Sequence, residues 1–122
     1  MRAVTEQRLR ELFELAQHEI GKRFTEPLQL ADVADAVECP TRTLQRAYWL
    51  AGTSFRAEVA AARLLHAREL LGQPHDPPLV GEVAARAAYS SKAQFTRAFT
   101  RVYGVTPSQY RRAMRDAVSC AT

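Results

Sequence analysis

The sequence predicts an all-α fold: two helix-turn-helix units joined by a long linking helix, about seven helices in all. Two observations carry this. No stretch alternates with period two over a useful length, whereas apolar residues recur with helical spacing almost throughout. One short pattern also occurs twice. Val33-Ala34 is followed by Leu44-Gln45-Arg46-Ala47-Tyr48, and Val83-Ala84 by Phe95-Thr96-Arg97-Ala98-Phe99. Each gap has room for a short helix, a tight turn and a second helix with an arginine on its outer face.

The elements follow in order. Thr5 is placed to cap a first helix with an apolar face of Leu9, Leu12, Phe13, Ala16 and Ile20, ended by Gly21. Its opposite face is charged, so it is expected to lie against the domain as a support over 1–27. Leu30, Val33, Ala34 and Val37 define a second helix, expected to begin near Leu28. The turn falls at Glu38 to Pro40, because Pro40 cannot continue the preceding helix but can lead into another. From Thr41 to Ala51 the inward positions are Leu44, Ala47, Tyr48 and Ala51, and the outward ones Arg42, Gln45, Arg46 and Trp49. Gly52 stops this helix and completes a first unit over 28–53. Ser54 caps a linking helix over 54–71, about 27 Å long and anchored by Leu64, Ala67, Leu70 and Leu71.

The loop at 72–78 is rich in breakers and separates the two halves. A second unit spans 79–116. Leu79, Val80, Val83, Ala84 and Ala87 begin it, and the turn lies near Ser90-Ser91. The next helix is expected to bury Phe95, Ala98, Phe99 and Val102 and to expose Lys92, Ala93, Thr96, Arg97 and Thr100. Gly104 ends that helix, Pro107 opens a last one to roughly Asp116, and 117–122 reads as a frayed tail.

At 122 residues and 47% apolar composition the chain can bury a core, with little area left over for an enzyme cleft. The net charge of +4 is unevenly spread: residues 1–38 are acidic overall, and from Arg86 to Arg115 there is no acidic residue. Nearly all the cations are arginine, whose planar fork matches phosphates and guanine edges. A GC-rich genome would raise arginine use but would not cluster it. A positive field confined to the later two thirds fits a polyanionic partner. Cys39 and Cys120 lack metal-ligand spacing, and His18, His66 and His75 lie on different elements. No catalytic constellation, metal site or cofactor is expected. No signal peptide or membrane span is read, so the chain is expected to be cytoplasmic and associated with the nucleoid.

Several motifs, in order, bring the segment from Leu28 to Arg112 close to a known family. They are Val33-Ala34, Arg42-Thr43-Leu44-Gln45-Arg46, Gly52-Thr53-Ser54-Phe55, Arg63-Leu64 with Ala67 and Leu70-Leu71, Val80 with Val83-Ala84, and Phe95-Thr96-Arg97-Ala98-Phe99. The run Tyr103-Gly104-Val105-Thr106-Pro107-Ser108-Gln109-Tyr110-Arg111 completes the set. The segment resembles the DNA-binding domain of the AraC/XylS family of bacterial transcription regulators. The chain departs from the family pattern at Glu38 and Ala88, where glycine is usual, at Pro40 for a capping serine, and at Glu58 for a tyrosine. It is also one residue shorter between Tyr48 and Gly52.

The resemblance implies a sequence-specific, double-stranded DNA-binding transcription regulator that reads two successive major-groove segments, and not an enzyme. Its partner would be promoter or operator DNA, with RNA polymerase as a candidate second partner. The base-contact candidates are Arg42, Gln45 and Arg46, then Lys92, Ala93, Thr96 and Arg97. Arginine can hold guanine O6 and N7 together, and glutamine adenine N6 and N7. The phosphate-contact candidates are Ser54, Arg101, Arg111 and Arg112, with helix N-termini. The linking helix would set the two reading heads about one DNA turn, roughly 34 Å, apart. Because the heads differ, the chain is expected to bind as a monomer to an asymmetric site.

Met1 followed by a well-formed helix reads as the start of a short stand-alone regulator. Two alternatives stand beside it: a DNA-binding fragment of a longer effector-responsive regulator, and a helical protein-interaction module with Trp49 in a partner groove.

Overall fold

A computed structural model describes residues 5–121, with side chains through Ala117. It contains α1 (Glu6–Arg23), α2 (Leu30–Ala36), α3 (Thr41–Leu50), α4 (Phe55–Leu71), α5 (Val80–Arg86), α6 (Lys92–Tyr103) and α7 (Pro107–Ala121). The described residues contain no strand. The all-α reading and the seven helices stand. The chain divides into two compact units between Ala62 and Arg63, inside α4.

In the first unit α1 packs on α2 and α3 and turns its charged face outward. Thr5 Oγ1 accepts from the Arg8 N–H at 3.1 Å and starts α1. Leu9, Leu12, Ala16 and Ile20 bury one face against Val33, Ala34, Leu44, Ala47 and Tyr48. Phe13 meets the Tyr48 ring edge-on at 5.6 Å. Burial pushes the Tyr48 phenol up to about 12, and the Glu58 carboxylate adds to this, so it is a neutral core group. Val59 joins this core from α4. Glu58, at the position where the family has tyrosine, reaches back to α1 and accepts from Gln17 Nε2 at 3.0 Å.

Several helix ends differ from the expected ones. Gly21 does not stop α1. A single exposed glycine costs a helix only about 1 kcal/mol, and Glu19 pairs forward with Lys22 at 2.8 Å and Arg23 at 3.7 Å. The second helix begins at Leu30, not Leu28, because Gln29 and Asp32 form a capping box there. Ala51 is exposed as the C-cap of α3. Val102 is 59% exposed although it falls within the apolar period of α6. The last helix continues past Asp116 to Ala121; Thr122 and the thiol of Cys120 lie outside what is described.

In the second unit Phe95 and Phe99 are fully buried among Leu64, Ala67, Leu71, Val83 and Ala84. Phe99 is ringed by Phe95, Tyr103 and Tyr110 at 5.7, 4.7 and 5.9 Å. Thr106 and Gln109 cap α7 reciprocally at 2.9 and 3.1 Å, with Pro107 in the first turn.

The turns that join each helix pair have the same construction. After α2, the N–H of Glu38 bonds to the Asp35 carbonyl and that of Cys39 to Ala34; after α5, Ala88 bonds to Ala85 and Tyr89 to Ala84. Both are Schellman closures, which place the residue after the C-cap in the left-handed region. Glu38 sits there at φ 57° and Ala88 at φ 66°. A side chain in that region costs about 1–2 kcal/mol, part of which glycine gives back as unfolded-chain entropy. Glu38→Gly and Ala88→Gly are therefore each expected to stabilise the chain by about 0.5 kcal/mol, raising Tm by about 2–4 °C. Thermal unfolding followed by circular dichroism tests this, and a lowered Tm in both variants would refute it.

Candidate nucleic-acid interface

Each unit offers a second helix with one face buried and the other bare. On α3, Leu44, Ala47 and Tyr48 face inward, while Arg42, Gln45, Arg46 and Trp49 are exposed. The shortened segment after Tyr48 leaves the helix end intact. Gly52 takes φ 77°, its N–H bonds to Trp49 and that of Thr53 to Tyr48. Pro40 gives α3 no side-chain cap, so its first amides have no partner from the cap residue. On α6, Ser91 caps the first turn by accepting from the Gln94 N–H at 3.1 Å. Lys92, Ala93 and Arg97 are exposed; Thr96 is half-buried, and its carbonyl accepts from the Thr100 hydroxyl at 2.7 Å.

The electrostatics separate these faces from the rest of the surface. Ion pairs among the described residues include Arg8 to Glu11, Arg10 to Glu6, Lys22 and Arg23 to Glu19, Arg23 to Glu26 and Arg86 to Glu82. Four of these pairs lie within α1, whose acidic and basic side chains balance in number. Among the described residues no ion pair engages Arg42, Arg46, Lys92, Arg97, Arg101 or Arg112. Arginines left unpaired on the exposed side of a helix hold their charge for an outside anion.

The phosphate-contact candidates fall into two kinds. Arg101 and Arg112 are exposed. Ser54 Oγ accepts from the Ala57 N–H at 3.1 Å to cap α4, which leaves its own O–H as a donor. Arg111 is half-buried and differently employed. Its Nε donates to the Pro78 carbonyl at 3.0 Å and its Nη2 to that of Pro77 at 2.9 Å. It ties α7 to the breaker-rich loop and so has only part of its guanidinium left for a phosphate.

Arg115 was not singled out in the sequence. It joins Lys92, Ser108, Arg111 and Arg112 around a cleft of about 470 Å³ in the second unit. The signal was available, since Ser108, Arg111 and Arg115 follow one another at i, i+3 and i+7 on α7. Glu82, which also borders the cleft, is held by Arg86 at 2.7 Å.

Burial pushes the Cys39 thiol up, which makes it a poor nucleophile. Among the described residues no three His, Cys, Asp or Glu side chains gather as a metal site. No described helix is long and apolar enough to cross a membrane.

Two helix pairs of this construction define a class, the helix-turn-helix domains, and a family model of that description matches residues 33–113. The chain belongs to the AraC-type branch of that family. It is 41% identical over 81 residues to the HTH-type transcriptional regulator Rv1395 of Mycobacterium tuberculosis, a stretch covering 66% of this chain and 23% of that protein. The transcriptional activator RhrA of Rhizobium meliloti is 30% identical over 83 residues, 68% of this chain and 26% of RhrA. The chain thus spans about a quarter of the length of these relatives. Among solved structures, an AraC-type regulator from Chromobacterium violaceum superposes with a TM-score of 0.79 at 24% identity, covering 85% of this chain and 92% of that one. The DNA-binding domain of AdpA, in complex with a target DNA, gives a TM-score of 0.68 at 26% identity, covering 89% and 94%.

Proposed function

We propose that the chain is a sequence-specific transcription regulator that binds double-stranded promoter or operator DNA, each unit setting its second helix into a segment of major groove. The observation that carries this is the unpaired cationic stripe on α3 and on α6, set opposite a buried apolar face in both. The likeness to a domain solved on its target DNA supports the reading.

In the first unit Arg42, Gln45 and Arg46 reach base edges. In the second Lys92 and Arg97 do so, with Ala93 and Thr96 offering methyl contacts or one hydroxyl. Ser54, Arg101 and Arg112 take phosphates, and Arg111 chiefly fixes the loop beside them. The two stripes differ, so one chain binds as a monomer to an asymmetric site, more tightly specified where α3 reads it. A regulator of this kind acts beside RNA polymerase, with the DNA in the cytoplasm. The same interface serves a chain acting alone or as part of a longer regulator.

Selection of bound duplexes from a random pool supplies the site. On that site Arg46→Ala and Arg97→Ala are each expected to weaken binding by about 1–3 kcal/mol, roughly 5- to 150-fold, with helical content unchanged. Both variants binding as tightly as the parent chain would overturn the two-stripe reading.

A further inference from the structure

We propose that Trp49 is itself a DNA contact, packing its indole against a deoxyribose of the strand that borders the groove entered by α3. This deepens the DNA reading above and rests on it. Trp49 is 82% exposed, more than any other large apolar side chain described. Tryptophan is among the side chains enriched at binding hot spots, and this one adjoins other apolar side chains, Leu30, Tyr48 and Phe55, and does not stand alone.

Its position says which interface. It follows Arg42 by seven residues, which places it within about 20° of Arg42 around the helix and about 10.5 Å further along. Recognition helices present their N-terminal residues to base edges. The later turn of α3 therefore meets the wall of the groove, where sugars and phosphates lie.

The surroundings of the indole match that wall. A groove of about 470 Å³ runs beside it, and Gln45, Thr53, Ser54 and Arg56 are its polar lining. Leu30, Tyr48 and Phe55 complete the apolar lining, and no carboxylate borders the groove. A deoxyribose is an apolar ring between two anions. An aromatic plane next to two hydroxyls and a guanidinium complements it, whereas an apolar helix of a protein partner would leave Thr53, Ser54 and Arg56 unanswered. In this arrangement the Ser54 O–H and Arg56 hold the phosphate next to the sugar on Trp49.

The chain contains one tryptophan, which makes the test direct. The full chain is titrated with the selected duplex while labelled-DNA anisotropy and tryptophan emission are read together. Binding is expected to quench and blue-shift the emission and to cut acrylamide access to the indole at least twofold. Trp49→Ala is expected to bind about five- to twentyfold more weakly, the lower part of what stacking on a base is worth because a sugar offers a smaller face, and Trp49→Phe within about threefold of the parent. Replacing the thymines read by α3 with deoxyuridine should leave the loss caused by Trp49→Ala unchanged. A loss from Trp49→Ala that disappears on one such substituted duplex would overturn the sugar placement in favour of a thymine methyl. Anisotropy that rises while emission, acrylamide access and Trp49→Ala affinity stay unchanged would overturn the proposal and leave the DNA reading standing; a protein-docking tryptophan would behave that way. No anisotropy change with any duplex would overturn both.

Discussion

Raising the salt from 50 to 200 mM is expected to weaken DNA binding by about 150- to 2,000-fold. Arg42, Arg46, Lys92, Arg97, Arg101 and Arg112 have no acidic partner among the described residues, so each is available to a phosphate or a base. If about four to six phosphates are neutralised, counterion release gives a slope of log K against log salt of about −3.6 to −5.4. Over that fourfold range the loss is about 3–4.5 kcal/mol. Anisotropy titrations at constant pH measure the slope directly. A value near zero would mean that these side chains meet no phosphate, and the electrostatic basis of the proposed function would fail.

Phe95→Ala is expected to remove about 3–5 kcal/mol of stability. Phe95 is fully buried and stacks against Phe99 at 5.7 Å and Tyr89 at 5.3 Å, so truncation leaves a hole lined by rings that cannot easily close it. A unit of about 60 residues holds only about 3–9 kcal/mol in total. The substitution therefore takes away a large share of what keeps the second unit folded, although Phe95 lies on the buried side of α6. Urea unfolding followed by far-ultraviolet circular dichroism is the measurement. A loss below about 1 kcal/mol would contradict the packing described.

The parts of the fold that could be read from the sequence are those fixed by local chemistry. Thr5 and Ser54 cap helices because a hydroxyl at that offset meets an orphan N–H. Gly52 and Gly104 end helices at φ 77° because glycine alone enters that region freely. The ends that were misread depend on partners further away or on less familiar caps. Gly21 was overridden by the Glu19 pairs, and Gln29 is an unusual residue for a capping box. Val102 keeps the helical period but has nothing packed over it, which periodicity cannot register. The exposed cations of α3 and α6 were legible because helical spacing alone sets them opposite the apolar positions. The double bond of Arg111 to Pro77 and Pro78 was not, since 33 and 34 residues separate the partners.

The strict division of α3 into a buried and a bare side has a consequence for descent. Leu44, Ala47 and Tyr48 hold the unit together, and Arg42, Gln45, Arg46 and Trp49 take no part in that core. Substitutions at exposed sites of this sort usually move stability by no more than about 0.5 kcal/mol. A lineage can therefore exchange one target site for another by altering a few exposed side chains, without passing through ancestors that fail to fold. What selection acts on at those positions is the text being read, and what it acts on across the helix is the reader's survival.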